Sequence, residues 1–112
     1  MDTAAPATAA TDPRSFRTFA EFYVYYLTEH SNRTSRRLHF IGMTLGLACL
    51  AVLLVTGNGW WLAAGLFCGY AFAWAGHFFF EKNRPATFKR PLFSFMGDCV
   101  MYKQIWTGKV KL

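Results

Sequence analysis

Between positions 38 and 80 the chain carries no Asp, Glu, Lys or Arg, a run of 43 residues in which apolar side chains dominate. Polar punctuation enters it once, at "TGNG" (56–59). Gly-Asn-Gly is a strong turn signal, and a lipid-exposed loop does not sit inside hydrocarbon. The run therefore divides into two helical spans, 38–55 and 60–80, each of the ~17–25 residues a bilayer crossing needs. Trp60 and Trp61 beside the turn fit an aromatic belt at one interface. Two flanking segments, 15–30 and 91–106, are shorter, aromatic-rich and interrupted by charge, the pattern of amphipathic helices at a membrane surface. Gly97 is a predicted weak point in the second. The fold expected is an all-α membrane protein: a two-span transmembrane helical hairpin flanked by amphipathic interfacial helices.

Composition agrees. Of 112 residues 54% are hydrophobic and 16% charged, against ~25% charged in soluble domains. The length allows one domain, and a soluble domain of this size has too little interior to hide so long an uncharged run. That domain is expected over 16–106, between an Ala/Thr/Pro-rich tail (1–15), where no secretory signal is visible, and a short C-terminal tail (107–112).

The net charge of +6 is placed rather than spread. Arg33, Arg36, Arg37, Lys82, Arg84, Lys89 and Arg90 crowd the two outer ends of the apolar run. This is the positive-inside pattern and an attraction for anionic lipid, and it speaks against nucleic acid as partner. Both termini are expected on the cytoplasmic side. Three cysteines without CxxC spacing read as packing residues in a reducing compartment. Gly42/Gly46 and Gly65/Gly69 form a GxxxG on each span, which allows close helix packing, within the chain or in a homo-oligomer.

The candidate chemistry lies at the charged ends. His39 and His77 each stand 19 residues from Asn58 at the turn, roughly 28 Å along a helix, so the hairpin brings them to one depth. His30 lies nine residues before His39, across "SNRTSRR". Glu81 follows His77 by one helical turn and adds a carboxylate. Two or three histidines plus a carboxylate, with open positions, suit non-haem Fe(II) and O2 chemistry. Glu29, Asn32 and Asp98 are further polar candidates. The other reading of the same residues is interfacial histidines bonded to carbonyls in a non-catalytic membrane scaffold.

Two motifs, "EHSNRTSRRLHFIG" (29–42) and "GHFFFEKNRPATFKRPLFSFMGD" (76–98), resemble the Mpo-like family of small membrane proteins. The resemblance runs from about position 16 to 102. It implies an Fe(II)-dependent dioxygenase of 2-hydroxy fatty acids, shortening the chain by one carbon, with His30, His39 and His77 at the expected ligand positions. The first motif departs from the family pattern at Arg33 and Ser35, where the family commonly has Pro and Asn, and the chain is shorter than fungal members; substrate identity therefore stays open. On this reading a fatty-acyl lipid and O2 are the substrates, and Arg36, Arg84 or Lys89 neutralises the carboxylate. Glu81 is either a metal ligand or the partner of a ligating histidine. A metal-dependent lipid oxidation of another type is the alternative reaction. The Ala-rich start and short chain point to a bacterial inner membrane, or to the endoplasmic reticulum in a eukaryote.

Overall fold

The computed structural model describes residues 12–112; most of the expected 1–15 tail lies outside the described residues. Among the described residues all regular structure is helical. Four α-helices follow in order: α1 (Phe19–Thr28), α2 (Arg33–Thr56), α3 (Trp60–Ala75) and α4 (Pro91–Trp106). A π-helical turn, Gly76–Glu81, continues α3, and short 3-10 turns precede α1 and α4.

Local chemistry sets the helix ends. Thr18 caps α1 by accepting from the Glu21 N–H (3.2 Å), and Asn32 caps α2 by accepting from Ser35 N–H (3.1 Å). Such caps satisfy N–H groups that the first turn leaves without partners. α2 stops at Gly57, whose φ of +71° is the left-handed conformation that glycine adopts without strain. Asn58 then turns back and accepts from Trp60 N–H (3.1 Å) to start α3.

α2 and α3 pack through glycine. A Cβ on Gly42 would meet the Gly69 carbonyl at 3.1 Å, and one on Gly65 would meet the Gly46 carbonyl at 3.2 Å. Positions rise along one helix as they fall along the other. Both GxxxG faces are thereby used inside the chain. α2 and the α3–π segment, Trp60–Glu81, are long and apolar enough to cross a membrane. Little of either is covered: Leu54, Val55 and Trp60 are 77%, 85% and 80% exposed. A core helix of a soluble protein would not leave such residues bare.

The packed core lies elsewhere. Phe22, Tyr25 and Tyr26 of α1 meet Met101 and Ile105 of α4, with Ala86 beneath them. α1 is therefore docked against α4 as well as being amphipathic. Gly97 is not a weak point: α4 runs unbroken through it, and a Cβ there would meet the Tyr26 ring at 2.8 Å. Its bareness lets α1 approach. The stretch expected as a C-terminal tail is tied down too, by Val110 N–H to the Gln104 carbonyl (3.1 Å) and by the Lys111 carbonyl accepting from Arg36 Nε (2.8 Å).

Candidate metal centre

Where α1 ends, α2 begins and α3 unwinds into its π turn, three buried histidines meet. The His30 ring lies 5.1 Å from that of His39 and 4.4 Å from that of His77, centre to centre. All three are nearly inaccessible, at 2%, 6% and 3% exposure.

One nitrogen of each ring is assigned by its partner. His30 Nδ1 donates to the Tyr26 carbonyl (2.9 Å), one turn earlier on α1. His39 Nε2 donates to Asp98 Oδ1 on α4 (2.9 Å), and the Tyr26 hydroxyl donates to the same oxygen (2.5 Å). His77 Nδ1 donates to Asn83 Oδ1 (2.7 Å). In a neutral imidazole the nitrogen without the proton carries a lone pair. The lone pairs therefore sit on His30 Nε2, His39 Nδ1 and His77 Nε2. Burial, joined by the repulsion of a charged His39 or His77, pushes the His30 pKa well below the ordinary histidine value. That ring is neutral at physiological pH.

The π turn aims His77. Lys82 and Asn83 both donate backbone N–H groups to the His77 carbonyl, the latter at 3.0 Å, and Lys82 takes a left-handed conformation (φ 62°). Asn83 is thereby fixed beside the ring whose proton it accepts, and its amide donates to the Glu29 carbonyl (3.1 Å). Gly76, just before His77, lets α2 come close: a Cβ on it would meet Ser35 Oγ at 2.7 Å.

The carboxylates and cations divide. Asp98 joins the cluster through His39. Glu81 points to the α1–α2 loop, where it accepts from Asn32 N–H (2.8 Å) and the Ser31 hydroxyl (3.4 Å). Arg36 is committed to carbonyls as well, donating to those of His30 (3.1 Å) and Ser31 (2.8 Å). Glu29 accepts from the Tyr25 hydroxyl (3.5 Å), and its pKa is raised by burial. Arg84 and Lys89 are exposed. Two participants, Tyr26 and Asn83, are not among the residues that the sequence pattern singles out. Tyr26 had a signal, since it stands four residues before His30 on one helix face. Asn83 had none, because six residues from His77 is no α-helical spacing.

Among the described residues no three His, Cys, Asp or Glu side chains already stand as a coordination sphere. The donor set decides the fit. Among the described residues, His30 Nε2 and His39 Nδ1 are the buried side-chain polar atoms without a hydrogen-bond partner. Each such orphan costs about 1–3 kcal/mol, and both belong to rings whose other nitrogen is fixed by a carbonyl or carboxylate. This is how proteins orient histidines toward a metal. The residues present fit a divalent transition metal.

Helices alone among the described residues, two of them long and apolar enough to cross a membrane, and a buried cluster of three histidines define the class: a small helical protein with a candidate metal centre. The family model described as "2-hydroxy-palmitic acid dioxygenase Mpo1-like" matches residues 16–110. The chain belongs to that Mpo1-like family. No curated protein and no solved structure matches it. The family's description associates it with dioxygenase chemistry on a fatty acid.

Proposed function

We propose that the protein is an Fe(II)-dependent dioxygenase that shortens 2-hydroxy fatty acids by one carbon at a membrane surface. The observation that carries this reading is the pair of buried, unpartnered nitrogens, His30 Nε2 and His39 Nδ1, beside His77. Family membership supplies the substrate class. His30, His39 and His77 hold the metal. Three imidazole nitrogens would leave open positions on the metal for O2 and substrate, and imidazole suits iron. Bound Fe(II) supplies the one-electron and O2 chemistry that side chains lack.

The chain's own residues do the rest. The Tyr26 carbonyl, Asp98 and Asn83 keep the three rings in one tautomer and orientation. Tyr26 O–H also holds Asp98 in place. Glu81 and Arg36 clamp the loop that carries His30, so we assign them positioning parts. Arg84 and Lys89, exposed cations at the same end, receive the substrate carboxylate by charge-assisted contact. α2 and α3 cross the bilayer as a hairpin, with the basic residues and both termini in the cytoplasm. The membrane is a bacterial inner membrane or, in a eukaryote, the endoplasmic reticulum.

The test is iron content per chain in protein purified in detergent under reducing conditions, for wild type and His77→Ala. Near-stoichiometric iron lost in the variant, with O2-dependent consumption of a 2-hydroxy fatty acid by wild type, is the expected result. Folded wild type that takes up no Fe(II) anaerobically overturns the reading.

A further inference from the structure

A groove of about 260 Å³ follows the seam of α2 and α3 on one side and is walled at one end by α4. His39 and Asp98 line that end, and Leu50, Trp61 and Leu62 line the other. Gly46 and Gly65 form its floor, where the two helix backbones touch and the absence of side chains leaves a furrow along the outside of the seam. From His39 to Leu50 is eleven residues of one helix, about 16 Å at 1.5 Å per residue. That is half the ~30 Å hydrocarbon thickness of a bilayer, the depth of one leaflet. The groove is thus polar at His39, the member of the histidine cluster that lines it, and at Asp98, apolar beyond, and as long as a lipid tail that starts at the interface and ends near the midplane.

We infer that this groove holds the acyl chain of the substrate, with C1 and C2 at the His39 edge of the histidine cluster and the methyl end against Leu50 and Trp61. The inference rests on the dioxygenase reading for the chemistry at the head end. Its content is separate: the α2–α3 groove, rather than bulk lipid, receives the tail, and residues far from the metal set the chain length accepted. Leu47 lines the groove eight residues beyond His39, about 12 Å along it. A larger side chain there shortens the space without touching the cluster.

The experiment uses full-length protein in lipid nanodiscs and two photoactivatable 2-hydroxy fatty acids of one length, with a diazirine near the carboxylate or at the methyl end. Labelled sites are mapped by peptide mass spectrometry. The carboxylate-end probe should label near Phe95 and Cys99, and the methyl-end probe near Leu50 and Trp61. Excess unlabelled 2-hydroxy fatty acid should compete with both. Leu47→Trp should cut methyl-end labelling at Leu50 and Trp61 about tenfold, the order expected for one bulky clash in a packed site. It should leave labelling near Cys99 intact, and Leu54→Trp, on the exposed far end of α2, should change neither. Methyl-end labelling spread evenly over Leu54, Phe67 and the groove, without competition, means bulk lipid and overturns the inference. So does labelling indifferent to Leu47→Trp. Labelling requires neither iron nor O2, so an inactive protein with a labelled groove sinks only the dioxygenase reading. An active one with scattered labelling sinks only the groove.

Discussion

Every ring in the histidine cluster spends one nitrogen on a partner from a different element: the Tyr26 carbonyl from α1, Asp98 from α4, Asn83 from beyond the π turn. Removing such a partner costs metal affinity without removing a ligand, typically 10–100-fold. Asp98→Ala is expected to weaken Fe(II) binding by roughly that factor. Tyr26→Phe, which keeps the carbonyl and loses only the hydroxyl on Asp98, should cost less. Anaerobic Fe(II) titration beside circular dichroism of the apo proteins separates this effect from misfolding. Equal affinity in Asp98→Ala and wild type removes Asp98 from the site. Gly97 gives a second prediction at this scale. A methyl group there meets the Tyr26 ring at 2.8 Å, so Gly97→Ala should destabilise by about 1–3 kcal/mol through overpacking. Because Tyr26 carries the partners of His30 and Asp98, the same variant should bind iron more weakly. A thermal melt and an iron titration read the two effects; an unshifted melting temperature overturns the packing argument.

At the scale of elements, regular helices were legible and the irregular turn was not. The 91–106 segment is helical over the range its pattern marks, and the uncharged run breaks at Gly57-Asn58-Gly59 as expected. Side-chain periodicity and turn chemistry are local, so a sequence displays them. Ideal helical spacing also puts His77 some 100° from Gly76, at the flank of the helix pair. The π turn over Gly76–Glu81 changes that geometry by fitting an extra residue into the turn. Nothing in "GHFFFE" announces it, because it is held by groups outside those six residues: Asn83 bonded to the His77 carbonyl, and the remote Asn32 bonded to Glu81. Glu81 shows the same limit, since its spacing from His77 suits a ligand while its hydrogen bonds go to the loop. A deletion tests the turn. Phe79 is 70% exposed, so Phe79→Ala should retain iron. Deleting Phe79 converts the π turn to an α turn, withdraws Asn83 from the His77 ring and should abolish near-stoichiometric iron. Iron retained by the deletion variant would show that the turn does not aim His77.

For the whole molecule, the unequal distribution of packing argues for lipid. The chain extends 51 Å in its longest dimension and 25–26 Å in the others. Its aromatic core joins α1 to α4 beside the histidines, while the distal ends of α2 and α3 leave Leu54, Val55 and Trp60 bare. In water those surfaces would drive aggregation; in hydrocarbon they are already solvated. Composition alone makes this much legible, because an uncharged run of 43 residues is a statement about solvent. The docking of α1 on α4 was not legible, since it depends on a bare Gly97 meeting Tyr26 across 71 residues of chain. The basic residues gather at the histidine end, so that end should face the cytoplasm and the Asn58 turn the opposite side. Asn58→Cys is therefore expected to react with a membrane-impermeant maleimide added to intact cells or spheroplasts, and Lys111→Cys only after lysis. Mapping by mass spectrometry keeps Cys49, Cys68 and Cys99 from confusing the result. Labelling of both positions from outside, or of neither, would remove the two-span crossing. Labelling of Lys111→Cys alone would invert the molecule and set the histidines outside the cell. Only the expected pattern would put the proposed ferrous centre in the compartment where reduced iron persists, at the depth where a fatty acid's polar end would meet its tail.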